Sequence, residues 1–232
     1  MYFDIYYLVL VLPAVILSLW AQSKVNSNFK KYSKVYTMRN LTATDAARQI
    51  LDSHGLHQVK IEAISGNLTD HYDPKANVIR LSDSVRNSTS VAAVGVAAHE
   101  AGHAVQHAEG YAPIKIRNSL VPVANIGSKL AIPLIIIGFL LMGGESIFGD
   151  TCVWAGIILF SAAVLFQVVT LPVEFDASNR AIKVLSEEGY IYGEETKHVK
   201  KVLGAAALTY VAAAATSIAQ LLRLILIARD RD

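Results

Sequence analysis

Three residues within five could hold and use a metal ion: His99, Glu100 and His103, in the run His-Glu-Ala-Gly-His. On a helix, residues four apart lie on one face a turn apart, so both imidazoles can reach a single ion. Glu100 projects beside that ion, placed to take a proton from a water there. Two neutral imidazoles and one carboxylate suit Zn²⁺ and leave a fourth position open, so one zinc per chain is expected. The bland alternative is a pair of histidines satisfied by ordinary hydrogen bonds. The H-E-x-x-H pattern carries weight only on a helix with apolar support.

A third ligand must come from elsewhere. His107 extends the histidine row, but it stands about 12 Å along the axis from His99 at 1.5 Å per residue. A structural or supporting role suits it better. Glu174 and Asp176 stand just after a long apolar run, in Pro-Val-Glu-Phe-Asp-Ala-Ser, and topology alone admits either. A second reading of these acids is the first turn of a helix opening after Pro172, where the helix dipole favours negative charge.

The elements that must position these groups can be read along the chain. Residues 40–54 read as a helix with Thr42 or Thr44 as N-cap and Gly55 closing it. Residues 58–64 and 77–82 read as strands, and Tyr72-Asp73-Pro74 as a turn. The motif helix opens at Ser88 or Ser90 and runs to Glu109, ending at Gly110; residues 91–98 are small and apolar all round, as a buried helix requires. The strand 77–82 could pair an extended substrate through its main chain, or serve only as the edge of a small sheet.

Composition sets the solvent. Of the 232 residues, 53% are hydrophobic and 17% charged, and the mean hydropathy is +0.39. Soluble domains carry about 25% charged residues, so this is the balance of a membrane protein and excludes a disordered chain. The single cysteine, Cys152, excludes a disulfide framework and a cysteine-rich metal site, and a net charge of +2 is too weak to argue for nucleic acid. Residues 2–20 form an uncleaved anchor, followed by Lys24, Lys30, Lys31, Lys34 and Arg39 with no acid among them. Residues 126–142 and 151–171 form a hairpin, with Pro122 and Pro133 as expected bends. Its link, 143–150, holds Glu145 and Asp150 and no basic residue. By the positive-inside rule the link faces out and the basic flanks face the cytoplasm. Residues 202–228 are apolar but carry Thr209, Thr216, Gln220 and Arg223 on one stripe, the mark of a fourth span with its polar face inward or of an interfacial helix.

The expected fold is therefore an α-helical integral membrane protein of three to four transmembrane helices with a small α+β catalytic domain. Its expected parts are an anchor (1–23), a cytoplasmic subdomain with the motif helix (24–118), the hairpin (119–173), a cytoplasmic segment (174–201) and the last helix (202–232).

The order of anchor, His-Glu-Ala-Gly-His-Ala-Val-Gln-His, hairpin and Glu-Phe-Asp-Ala-Ser resembles the bacterial neutral zinc metallopeptidases of the YugP-like family. The resemblance runs over nearly the whole chain, including Leu-Thr-Tyr-Val-Ala at 208–212. More distantly the chain is similar to the HtpX and Ste24 membrane proteases, whose ligand glutamate leads a Glu-(Phe/Tyr)-x-Ala-Asp motif. That correspondence implies Glu174 as ligand, with Asp176 at the variable position, and a zincin-like domain of the gluzincin type. It also implies zinc-dependent peptide hydrolysis at the cytoplasmic face of the bacterial inner membrane, with protein or peptide substrates, membrane proteins among them. Ser178 departs from the pattern: the relatives have an aspartate there, expected to support a ligand histidine. Ser178, Asn179 and Asp176 are left as alternatives for that support. His71, Tyr72, His198 and Tyr210 are candidates for stabilising the oxyanion. The rival class is a non-catalytic membrane scaffold with a structural zinc site; a transporter would need acids and histidines inside its spans.

Overall fold

The computed structural model describes residues 4–141 and 147–230. The chain is mostly helical: a π turn (Tyr7–Val11), α1 (Leu12–Tyr32), α2 (Ala43–Ser53), β1 (Lys60–Ile64), β2 (His71–Asp73), β3 (Val78–Ser82), α3 (Val91–Ala108), α4 (Ala112–Leu141), α5 (Ile147–Glu187) and α6 (Glu194–Arg229). It divides into two compact units.

One unit comprises the described parts of Met1–Trp20, Lys115–Leu171 and Tyr210–Asp232. Among the described residues four helices are long and apolar enough to cross a membrane: Tyr7–Tyr32, Ala112–Leu141, Ile147–Glu187 and Glu194–Arg229. Their outer faces expose Ile16, Ile136 and Ile158, a surface that suits lipid rather than water. Inside, Ile135, Val153, Ile157 and Leu224 form a small buried cluster. A Cβ at Gly156 would meet the Ala131 carbonyl at 2.8 Å, the close backbone approach by which small residues join helices in lipid. The polar stripe of α6 turns towards α1. Thr216 Oγ1 and Ser18 Oγ lie 3.0 Å apart, and the Arg223 guanidinium pairs with Asp4. An inward polar face is what a fourth span requires. Pro122 and Pro133 both sit inside α4. Residues 143–146 of the expected outward link lie outside the described residues.

The other unit, Ala21–Ile114 and Pro172–Thr209, holds the small sheet and the motif helix. Of the two candidate caps for α2, Thr42 is the one used: its hydroxyl accepts from the Asp45 N–H. For α3 the cap is Ser90, whose Oγ accepts from the Ala93 N–H at 3.3 Å. Gly110, at φ +67°, leaves that helix in the left-handed conformation glycine adopts freely. Ala92, Ala93, Val94, Ala97, Ala98 and Ala101 of α3 are fully buried in one core with Ile50, Leu51, Ile79, Leu81 and Leu185.

Three expectations are corrected. The sheet order is β1-β3-β2, with β1 parallel and β2 antiparallel to β3. Strand 77–82 is therefore central, neither an edge nor free to pair a substrate, because neighbours on both sides take its main-chain groups. Tyr72 and Asp73, expected in a turn with Pro74, belong instead to the edge strand β2, His71–Asp73. Pro172 opens no new helix, since α5 runs unbroken from Ile147 to Glu187. Glu174 thus stands within the helix that carries the third apolar run.

The contact that joins α3 to α5 has no room for a side chain: a Cβ at Gly102 would meet the Ala177 carbonyl at 2.7 Å. Gly102→Ala should separate the helices and destabilise the protein by roughly 1–3 kcal/mol, read as a lower unfolding midpoint in detergent. An unchanged midpoint would show that the two backbones do not pack this closely.

Candidate metal centre

His99 and His103 project from one face of α3, as their spacing demands, with ring centroids 4.6 Å apart and planes at 82°. Glu174 comes to them from α5. Its Oε2 lies 3.3 Å from His99 Nε2 and 3.5 Å from His103 Nε2. The three ligand atoms all fall within 4.8 Å of one another, and this is the group able to hold a metal ion among the described residues. Zinc bonds of about 2.0–2.2 Å at tetrahedral angles place neighbouring ligand atoms about 3.3–3.5 Å apart. The two distances to Glu174 match that edge. Neither contact is a hydrogen bond, so Glu174 Oε2 is a buried oxygen with no hydrogen-bond partner. An orphaned anionic oxygen facing two imidazole nitrogens fits a cation.

The local field agrees. Burial alone would raise the Glu174 carboxyl, but the facing His103 and His99 hold it far below the usual carboxylate range. Burial would lower the His103 imidazole, yet Glu174, Glu100 and Gln106 together raise it. The negative potential that draws a proton to His103 also draws a metal ion, which competes with that proton for the ring nitrogen.

Each imidazole is fixed from behind. His99 Nδ1 lies 3.1 Å from Ser178 Oγ, so the serine occupies the supporting position on α5 one turn after Glu174. His103 Nδ1 lies 3.0 Å from Gln106 Oε1. The Gln106 amide, fully buried, donates to the Val173 carbonyl at 2.8 Å and to Asp176 Oδ2 at 2.7 Å. Both of its hydrogens are thereby used, so its oxygen faces His103 and must accept from Nδ1–H. That sets the tautomer with the lone pair on Nε2, towards Glu174. Arg180 holds Asp176 in turn and also bonds Glu109. Gln106 received no role from the sequence. Its signal was the i+3 spacing from a ligand histidine, which places it on the same helical face.

Glu100 is not one of the three grouped ligands, although its charge acts on His103. Its Oε2 accepts the Tyr72 N–H of β2 at 2.9 Å, tying the carboxylate to the sheet edge rather than to the three ligand atoms. Asp176 lies in the Gln106–Arg180 network, outside the ligand group. His107 is exposed, its ring 6.0 Å from that of Tyr72. Of the oxyanion candidates, His71 bonds the Thr69 carbonyl and faces Arg80, the Tyr72 hydroxyl donates to Asn77, and His198 stacks on Tyr32. Tyr210 lies on α6.

Comparison with known proteins follows this geometry. The family model described as "Putative neutral zinc metallopeptidase" matches residues 7–229. The chain is also similar to the "Putative membrane protease YugP" of Bacillus subtilis (strain 168). The two are 49% identical over 221 residues, 95% of this chain and 96% of that relative. No solved structure matches the chain.

Gln106→Leu should leave the fold intact and weaken zinc binding by about 10–100-fold, measured by competition with a chromophoric chelator. Parental affinity in this variant would show that His103 is oriented without Gln106.

Proposed function

The chain belongs to the neutral zinc metallopeptidase family, and from that premise we propose a membrane-bound zinc endopeptidase. In this reading His99, His103 and Glu174 hold the ion and Glu100 moves the proton. The observation that carries it is Glu174 Oε2 standing 3.3 and 3.5 Å from two imidazole nitrogens, in a group from which Glu100 is absent. A structural zinc site would call for a fourth protein ligand, and the group among the described residues has three.

Bound zinc would polarise the scissile carbonyl and lower the pKa of a water at the open position. The chain's own residues do the rest. Ser178 and Gln106 engage the Nδ1 atoms of His99 and His103 and so orient the rings with Nε2 towards the ion. Glu174 supplies the negative charge that balances the ion. Glu100 accepts the proton of the attacking water and returns it to the amine nitrogen of the leaving peptide. The Tyr72 N–H holds one of its oxygens, so the carboxylate meets that water already oriented.

The site is assigned to the cytoplasmic face of the bacterial inner membrane, with protein or peptide substrates, membrane proteins among them. The charge pattern supports this side: Lys24, Lys30, Lys31, Lys34 and Arg39 follow the first span, whereas the hairpin link carries only acids.

Glu100→Gln should keep its zinc and lose at least about 10²–10⁴-fold in cleavage of an unfolded substrate such as casein. Equal activity in variant and parent would remove Glu100 from the mechanism. For orientation, Cys152 is first replaced. Ser146→Cys should then react with an impermeant thiol reagent on intact cells, and Asn67→Cys only after the membrane is opened. The reverse pattern would move the site to the outer face.

A further inference from the structure

A groove of about 260 Å³ lies between α5 and α6. Its apolar wall is Phe175, Ile182, Leu203 and Ala207. Phe175, Ser178 and Ile182 recur along one face of α5, adjoining the face that carries Glu174. Ser178 belongs to both places: it lines the groove, and its Oγ lies 3.1 Å from Nδ1 of the ligand His99. The groove therefore begins behind the His99 ring, with Ser178 between them.

We propose that this groove receives one apolar side chain of the substrate, that of a residue flanking the scissile bond, and that Lys200 at its rim attracts a carboxylate of the same peptide. The proposal rests on the peptidase reading. Size argues for a single side chain, since drug-sized ligands take roughly 300–1,000 Å³. Charge argues for the peptide's character: Lys200 is the one charged residue in the lining, and no carboxylate faces it there. The polar lining is Ser178, Asn179 and Lys200, and the wall of Leu203 and Ala207, both buried themselves, offers a polar side chain no partner. The enzyme should thus prefer Leu, Ile, Met or Phe at one position beside the cleaved bond, in segments with a nearby acid.

Gly204 provides the test. It lines the groove, and a Cβ built there meets nothing within 4 Å. A side chain can therefore begin at this lining position without its Cβ displacing a neighbour, so Gly204→Leu is chosen to narrow the groove, and leucine favours the helix over glycine. Cleavage sites in unfolded casein, mapped by mass spectrometry, should show the apolar preference in the parent. For matched synthetic peptides, the Leu-over-Ala ratio of kcat/KM should fall about tenfold or more in Gly204→Leu. Lys200→Gln should weaken selection for the neighbouring acid. Unchanged cleavage profiles in both variants would overturn the proposal, and are what a lipid-filled groove would give.

A binding readout separates this from the peptidase reading. A decapeptide with a central photoleucine, irradiated with zinc-loaded Glu100→Gln, should cross-link to the 203–207 segment, and Gly204→Leu in that background should abolish the adduct. Cross-linking by a parent that cleaves nothing would sink the peptidase reading and keep the groove. Cleavage without that adduct would do the opposite.

Discussion

Gly102 on α3 and the Ala177 carbonyl on α5 are where the two helices touch, and the ligand distances follow from that contact. His99 and His103 lie three residues before and one after Gly102; Glu174 and Ser178 lie three before and one after Ala177. Equal spacings on two helices pressed together put one turn of each against one turn of the other. Glu174 then faces both imidazoles, and Ser178 stands behind one of them. A side chain at position 102 would push α5 away from α3. Zinc tolerates errors of only about 0.2 Å in its bonds, so the shape of this contact is a chemical requirement as well as a packing one.

Burying that site is costly without a cation. Glu174 is 3% exposed and its Oε2 has no hydrogen-bond partner, while His103 is 9% exposed. A buried anion in such a place depends on positive charge beside it, which the facing imidazoles bring here and a cation would add to. The surrounding bonds all favour a positive ion among the three ligand atoms. Ser178 and Gln106 turn the imidazoles, and Asp176 and Arg180 hold Gln106. The Tyr72 N–H ties one oxygen of Glu100 to the sheet edge, and Glu100 is not among the three grouped ligand atoms.

Much of this was legible from local sequence. The motif helix, its Ser90 cap and its Gly110 exit follow from small apolar residues and capping chemistry, which act within one turn. The α6 stripe left an inward polar face and an interfacial helix both open; Thr216 meets Ser18 of α1, and Arg223 pairs with Asp4 ahead of it. What escaped depends on distant pairing. β3 looked like a possible edge because strand order is set by which segments return beside it, and β2 is three residues long in a turn-rich stretch. Pro172 suggested a helix start, but a proline costs a helix one bond, and the apolar run before it carries the helix through. Topology left Glu174 and Asp176 level; only the family resemblance separated them before geometry did. Gln106 was hidden because its role exists only once α5 supplies Val173 and Asp176 as acceptors.

The central claim is that two helices supply three ligands to one ion, with Glu174 the ligand from α5. The most direct test is zinc content by elemental analysis of detergent-purified parent, Glu174→Ala, Asp176→Ala and His107→Ala, each checked for folding. The parent, Asp176→Ala and His107→Ala should hold close to one zinc per chain, and Glu174→Ala should lose most of its metal. Full zinc in Glu174→Ala beside its loss in Asp176→Ala would contradict the assignment.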